Sequence, residues 1–129
     1  MSLAAPTARL RGSGAVTRAA LVDALAGVAG LVAYPSAPEQ ATAGAAWPKW
    51  IQTTFTGHLT EAGRDAWDIY AVLPADYAPA TIDEGDTLRD LVAPVLIRLG
   101  PVQYAEPVMI AFQDNQAMPG IRLRMTTDR

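Results

Sequence analysis

One histidine, no cysteine and thirteen carboxylates bound the side-chain chemistry open to this 129-residue chain. With His58 as its only histidine, a multi-histidine zinc site cannot be built within one chain, and the absence of cysteine removes thiolate ligands and disulfides. The loop setting predicted for His58 points to a solvent-exposed or interface residue rather than a catalytic one. Asp65 and Asp68 could serve as an acid and base pair, but residues three apart in a strand lie on opposite faces. They are expected at a solvated edge. Asp83, Glu84 and Asp86 lack the alternating oxygen ligands and terminal glutamate of a calcium loop, and the start of a helix accounts for them. Gly12 and Gly14 follow no strand and do not complete a Gly-x-Gly-x-x-Gly phosphate cradle. No catalytic residue, cofactor or metal is expected, so the chain is not expected to be an enzyme.

What remains is contact chemistry. Trp47, Trp50 and Trp67 cluster around one predicted hairpin. Either both faces of that sheet are covered, or an aromatic patch is left open for a partner. Arg122 and Arg124 form a short basic stripe on the last predicted strand, read as edge charges that discourage pairing or as a partner contact. With the loop residues His58, Leu59 and Glu61 and the arm residues Arg9 and Arg11, these tryptophans and arginines are the candidate interface.

The elements that must position them can be read from period and punctuation. Thr17 can cap a helix from Arg18 to Ala29 with Leu21, Ala24, Leu25 and Val28 on one face and Gly30 as its stop. Leu31 to Tyr34 is a brief strand halted by Pro35. Trp47 to Thr56 alternates as a strand that begins at Pro48, with Ile51, Thr53 and Phe55 on one face and Trp50, Gln52 and Thr54 on the other. After a connection between Gly57 and Gly63, Trp67, Ile69, Ala71 and Leu73 alternate with Asp68, Tyr70 and Val72, which predicts an antiparallel hairpin.

Thr81 and Glu84 match a capping box that opens a second helix, closed by Gly100 and Pro101. Its apolar face is read as Leu88, Leu91, Val92, Val95 and Leu99, so an aspartate at Leu91 is expected to prevent folding. Pro94 conflicts with that helix and should kink it or begin a new turn. Val108 to Phe112, starting at Pro107, and a last strand with Ile121, Leu123 and Met125 inward complete the chain, joined by turn chemistry at Gln113 to Gln116. The fold class expected is α+β: a single mostly antiparallel or mixed sheet of four to five strands with two helices packed against it.

Half of the residues are apolar and 18% are charged, as in a folded globular domain. Residues 1–15 read as an extended basic arm and residues 16–129 as one body. Net charge is −3, and it is unevenly spread: three arginines and no acid lie in residues 1–18, against seven basic and thirteen acidic residues beyond them. An acidic body argues against a primary nucleic-acid binder, whose affinity comes from neutralising phosphates. Residues 1–15 hold no apolar run of the signal-peptide kind, and the longest apolar stretch, Leu91 to Ile97, is far below the ~20 residues of a bilayer span. Neither export by that route nor a membrane span is expected.

Several segments resemble a known group of proteins. Thr17-Arg18-Ala19-Ala20-Leu21 through Gly30-Leu31-Val32-Ala33-Tyr34-Pro35, then Trp47-Pro48-Lys49-Trp50-Ile51-Gln52-Thr53, is similar to the tail terminator proteins of long-tailed, siphovirus-type bacteriophages and prophages of actinobacteria. Asp86-Thr87-Leu88-Arg89-Asp90-Leu91, Ala105-Glu106-Pro107-Val108 and Met118-Pro119-Gly120-Ile121-Arg122-Leu123 resemble the same group, so the similarity covers residues 17–126. It implies a small α/β subunit of a hexameric ring that caps the head-proximal end of a tail tube and ends its polymerisation. The ring's partners would be copies of itself, the major tail tube protein and a head-to-tail connector or stopper, with DNA passing through the lumen without specific binding. The site of action would be the virion neck, after synthesis in the host bacterial cytoplasm. Another neck protein, or a small-ligand or peptide-binding domain using the tryptophans, is the alternative.

The basic arm lies outside the similarity, and its charge is opposite to the body's. Deleting residues 1–14 should leave a folded body but weaken assembly, most clearly at low salt, where unscreened arginines act furthest. Ring stability measured at low and high salt, unchanged by the deletion, would count against this role.

Overall fold

The computed structural model describes residues 16–55, 63–75 and 84–129, and the elements follow in the order helix, strand, strand, strand, helix, strand, strand. The arm, His58, Leu59, Glu61 and the Thr81 to Asp83 part of the capping box lie outside the described residues. Helix α1 spans Arg18–Ala26, and Thr17 caps it as expected, its side chain accepting from the Ala20 N–H at 3.3 Å. The helix ends three residues before the expected Ala29. Gly27 and Val28 donate back to Ala24 and Leu25, tightening the last turn, and this keeps Val28 in the core although it is no longer helical.

Strand β1, Val32–Ala33, runs parallel to β2, Ala45–Phe55. Two glycines in the left-handed region set these turns, Gly30 at φ +86° between α1 and β1 and Gly44 at φ +77° at the entry to β2. They also touch: a Cβ on Gly44 would stand 2.6 Å from the Gly30 carbonyl oxygen. The remaining elements are β3, Gly63–Val72, α2, Glu84–Ile97, β4, Val102–Ala111, and β5, Ala117–Asp128. One five-stranded sheet results, in the order β1-β2-β3-β5-β4, antiparallel except for β1 with β2. This is the α+β, mixed-sheet architecture expected from the sequence.

Both helices cover the same side of the sheet. Leu21 and Leu25 from α1 and Leu88, Val92 and Leu96 from α2 enclose Trp67, Ile69 and Ala71 of β3 and Ile121, Leu123 and Met125 of β5. The inward set on β5 is the one its alternation predicts. A smaller cluster lies on the helix-free side, where Trp47 stacks on Tyr70 with ring centroids 5.6 Å apart and meets Phe112 edge-on at 5.8 Å.

Three expectations are corrected. Pro48 and Pro107 lie inside strands rather than at their starts. A proline is tolerated in a strand where its missing N–H would face away from the ladder, and each occupies such an edge. β4 pairs only with β5, and β2 beyond Ala46 has no β1 partner, where Arg18 Nη1 fills the gap by donating to the Pro48 carbonyl at 2.9 Å.

A bulge between Trp50 and Gln52 breaks the alternation expected along β2. Trp50 falls opposite Trp67, on the helix side, and shares that side with Thr53 rather than opposing it. Phe55 is 57% exposed with the Arg129 guanidinium 5.1 Å from its ring centre.

The third correction is the phase of α2. Its buried face is Gly85, Leu88, Val92 and Leu96, with the expected Val95 and Leu99 partly buried against the core, while Leu91 is 42% exposed, and the helix continues through an exposed Pro94 without a new element beginning there. In the run Leu91 to Ile97 nearly every residue is apolar, so composition cannot choose among neighbouring phases. Gly85 decides it: a Cβ there would stand 3.3 Å from Ile121, so the first turn of α2 lies tight against β5. Leu91→Asp should therefore still fold, at a cost of about 1 kcal/mol or less, whereas Leu88→Ala should cost about 2–5 kcal/mol. Urea unfolding of the two variants measures both; equal losses would show that the helix is rotated from this phase.

Candidate functional site

The helix-free side of the sheet carries polar and aromatic side chains in cross-strand rows. Register places Lys49, Asp68, Arg124 and Tyr104 across β2, β3, β5 and β4, and beside them Trp47, Tyr70, Arg122 and Glu106. Alternation puts all eight on one side, because the opposite set feeds the core beneath the helices. Asp68 is only 4% exposed and accepts from Arg124 Nε at 2.5 Å. Arg122 Nε donates to Glu106 Oε2 at 2.8 Å, and its Nη2 meets the same oxygen. At the far end of the face Arg64 pairs with Asp128 at 3.2 Å.

These pairs revise the reading of the charged residues. Asp68 is buried in an interior strand rather than solvated at an edge, while Asp65, on the other face, accepts from Thr53 Oγ1 at 2.5 Å. Arg122 and Arg124 are not edge charges either, since β5 lies between β3 and β4. Sequence reasoning passed over their partners Asp68 and Glu106 as ligands of arginine. The one available signal was the alternation itself, which sets both acids outward at the same period as the arginines.

The hydrogen bond from Arg124 to Asp68 is the main cause of a guanidinium held above its ordinary value, with burial opposing it. Arg122 is raised likewise, by Glu106 first and by Tyr70 second. A folded value above the unfolded one means the stabilisation is fully present below the ordinary arginine value and is lost only at higher pH. The arginine side of neither pair titrates near neutrality.

The three tryptophans separate. Trp67 is buried under the helices, donates from Nε1 to the buried Thr127 Oγ1 at 3.0 Å and has the Arg18 guanidinium 5.3 Å from its ring centre. Trp47 is buried on the other side of the sheet. Only Trp50 is open, 53% exposed, its indole fixed by donation to Thr53 Oγ1 at 3.0 Å. The sheet thus buries one tryptophan on each side and leaves the third exposed.

A concavity of about 580 Å³ opens beside this face. Trp47, Tyr70 and Arg122 line it together with Arg18, Lys49, Trp50 and Met109, and among the described residues no acidic one lines it. The site offers positive charge, aromatic surface and an apolar rim, which suits it to contact. Lys49, Tyr70, Arg18 and Met109 were not among the sequence candidates. Lys49, set between Trp47 and Trp50, is the one that adjacency could have revealed. Among the described residues no group of three histidine, cysteine, aspartate or glutamate side chains is gathered as metal ligands, and no helix is long and apolar enough to cross a membrane. No protein-family model matches the chain, and comparison with curated proteins gives no significant match.

The buried pair generates an asymmetric prediction. Removing Arg124 leaves a carboxylate in the sheet with only Lys49 across from it, while removing Asp68 leaves a guanidinium that can still reach water. Arg124→Met should cost about 3 kcal/mol and Asp68→Asn about half of that. Denaturant midpoints of the two variants test this; a larger loss for Asp68→Asn would reverse the assignment of which charge is trapped.

Proposed function

We propose that this protein is a structural subunit that assembles with copies of itself into a ring on the head-proximal end of a phage tail tube, ends tube polymerisation and joins the tail to the head. The observation that carries the reading is the placement of the exposed apolar side chains. Trp50 and Met109 flank the concavity, and Leu91 and Ile97 stand on α2, so one subunit presents two different apolar surfaces. A ring of identical subunits needs such a pair of unlike patches, repeated until the rotation closes.

The resemblance adds support, because its segments fall on the framework: they begin α1, contain β1, occupy the middle of β2 and lie in α2, β4 and β5. Six copies at −3 each would bring together on the order of −18 formal charges, a bias that keeps DNA from binding the ring through its phosphates. A stopper or other head-to-tail connector is built on the same needs. Position in the particle separates them: on the last tube ring for a terminator, between it and the portal for a stopper. The concavity with its open Trp50 also favours a second reading, a ligand- or peptide-binding domain, which would give a saturable tryptophan-fluorescence change without oligomerisation.

Negative-stain microscopy of the purified protein mixed with polymerising tail tube protein tests the main proposal. Tubes of limited length with a ring at one end are expected. Tubes that grow unchanged, beside a protein that never associates with their ends, would exclude it.

A further inference from the structure

The outward face of α2 is not uniformly polar. Opposite its buried side, the positions at helical spacing are Asp86, Asp90, Pro94 and Ile97, all exposed. The stripe is acidic over its first half and apolar over its second. Its two carboxylates share one cation, Arg89, at 3.4 and 3.1 Å, which leaves the stripe negative.

The concavity, lined by residues from both sides of the sheet, is its chemical complement. Lys49 is exposed at the rim and makes no ion pair among the described residues. Arg18 is satisfied there by the backbone carbonyls of Pro35 and Pro48, which bind its protons but leave its charge uncancelled. Trp50 and Met109 supply apolar surface beside these cations. At about 580 Å³ the hollow is within the ~300–1,000 Å³ of sites that enclose whole ligands, room enough for the side chains of one helical stripe.

We infer that the α2 stripe of one copy docks into this concavity of the next copy, with Asp86 and Asp90 against Lys49 and Arg18 and with Ile97 against Trp50 and Met109. The assignment rests on the ring reading and gives it an interface. It uses a helix-in-groove contact in which apolar anchors bind and charges set the register. Because the two patches are different surfaces of the chain, each copy engages two different neighbours, and the contact propagates head to tail until it closes.

Charge exchange tests the pairing. Lys49→Glu and the double variant Asp86→Lys, Asp90→Lys change exposed residues, and cooperative melting near the wild-type temperature checks that each still folds. Sedimentation equilibrium and native mass spectrometry should show each variant alone self-associating at least about tenfold more weakly than wild type. An equimolar mixture of the two should reassemble, since each groove then meets a helix of opposite sign. A chain carrying all three changes should also assemble. Variants that assemble like wild type, or a mixture that stays dissociated, would overturn the interface while leaving the ring reading to the tube-capping experiment. A wild-type chain that remains monomeric at all concentrations and on tube ends would remove both. If instead an acidic peptide of unrelated sequence fills the concavity and wild type does not self-associate, the occupant is another protein and this pairing is wrong.

Discussion

The antiparallel pairing of β3 with β5 is the constraint on which the rest of the molecule depends. These two interior strands carry the apolar floor for both helices on one side and charged side chains on the other. A slip of one residue would invert the pattern, burying Arg122 and Arg124 beneath the helices and exposing Ile121, Leu123 and Met125. The Asp68 to Arg124 pair adds a second cost to that slip, because it closes only in the observed register and one member is almost wholly buried. Such a pair is weak evidence for extra stability, since desolvation offsets most of its attraction, but breaking it leaves a buried charge uncompensated.

From that pairing the positions of the outer elements follow. β2 and β4 extend the sheet on either side, and each tolerates a proline because a neighbour is missing there. The same prolines remove donors that a further strand would need, so the open edges are poor templates for adding another chain by strand pairing. Contacts with other molecules are left to side chains. This is why the exposed tryptophan, the free lysine and the outward stripe of α2 carry the functional reading rather than the sheet edges.

The chemistry of the concavity depends on how its charges are already used. Arg122, which lines it, is neutralised within the sheet by Glu106, as Arg124 is by Asp68, so neither contributes free charge. Lys49 and Arg18 do contribute it, one unpaired by any acid among the described residues and the other held by carbonyl oxygens. A site of this kind favours an acidic and partly apolar surface. In the proposed ring it would form the assembly contact.

Much of the architecture was legible in the residues themselves. Alternation from Trp67 to Leu73 and from Ile121 to Met125 marked the inward faces of β3 and β5, Thr17 marked the start of α1, and the two helices with one sheet followed from element order. Those features are local: a period of two or a capping hydroxyl is set by covalent geometry and by backbone donors within a few residues. The phase of α2, the bulge in β2, the interior place of both prolines and the partners of Arg122 and Arg124 were decided by tertiary structure. Each depends on a residue distant in the chain, as Gly85 depends on Ile121 and Asp68 on Arg124. Where a run such as Leu91 to Ile97 is apolar on every side, only the surface it packs against can choose which side is buried.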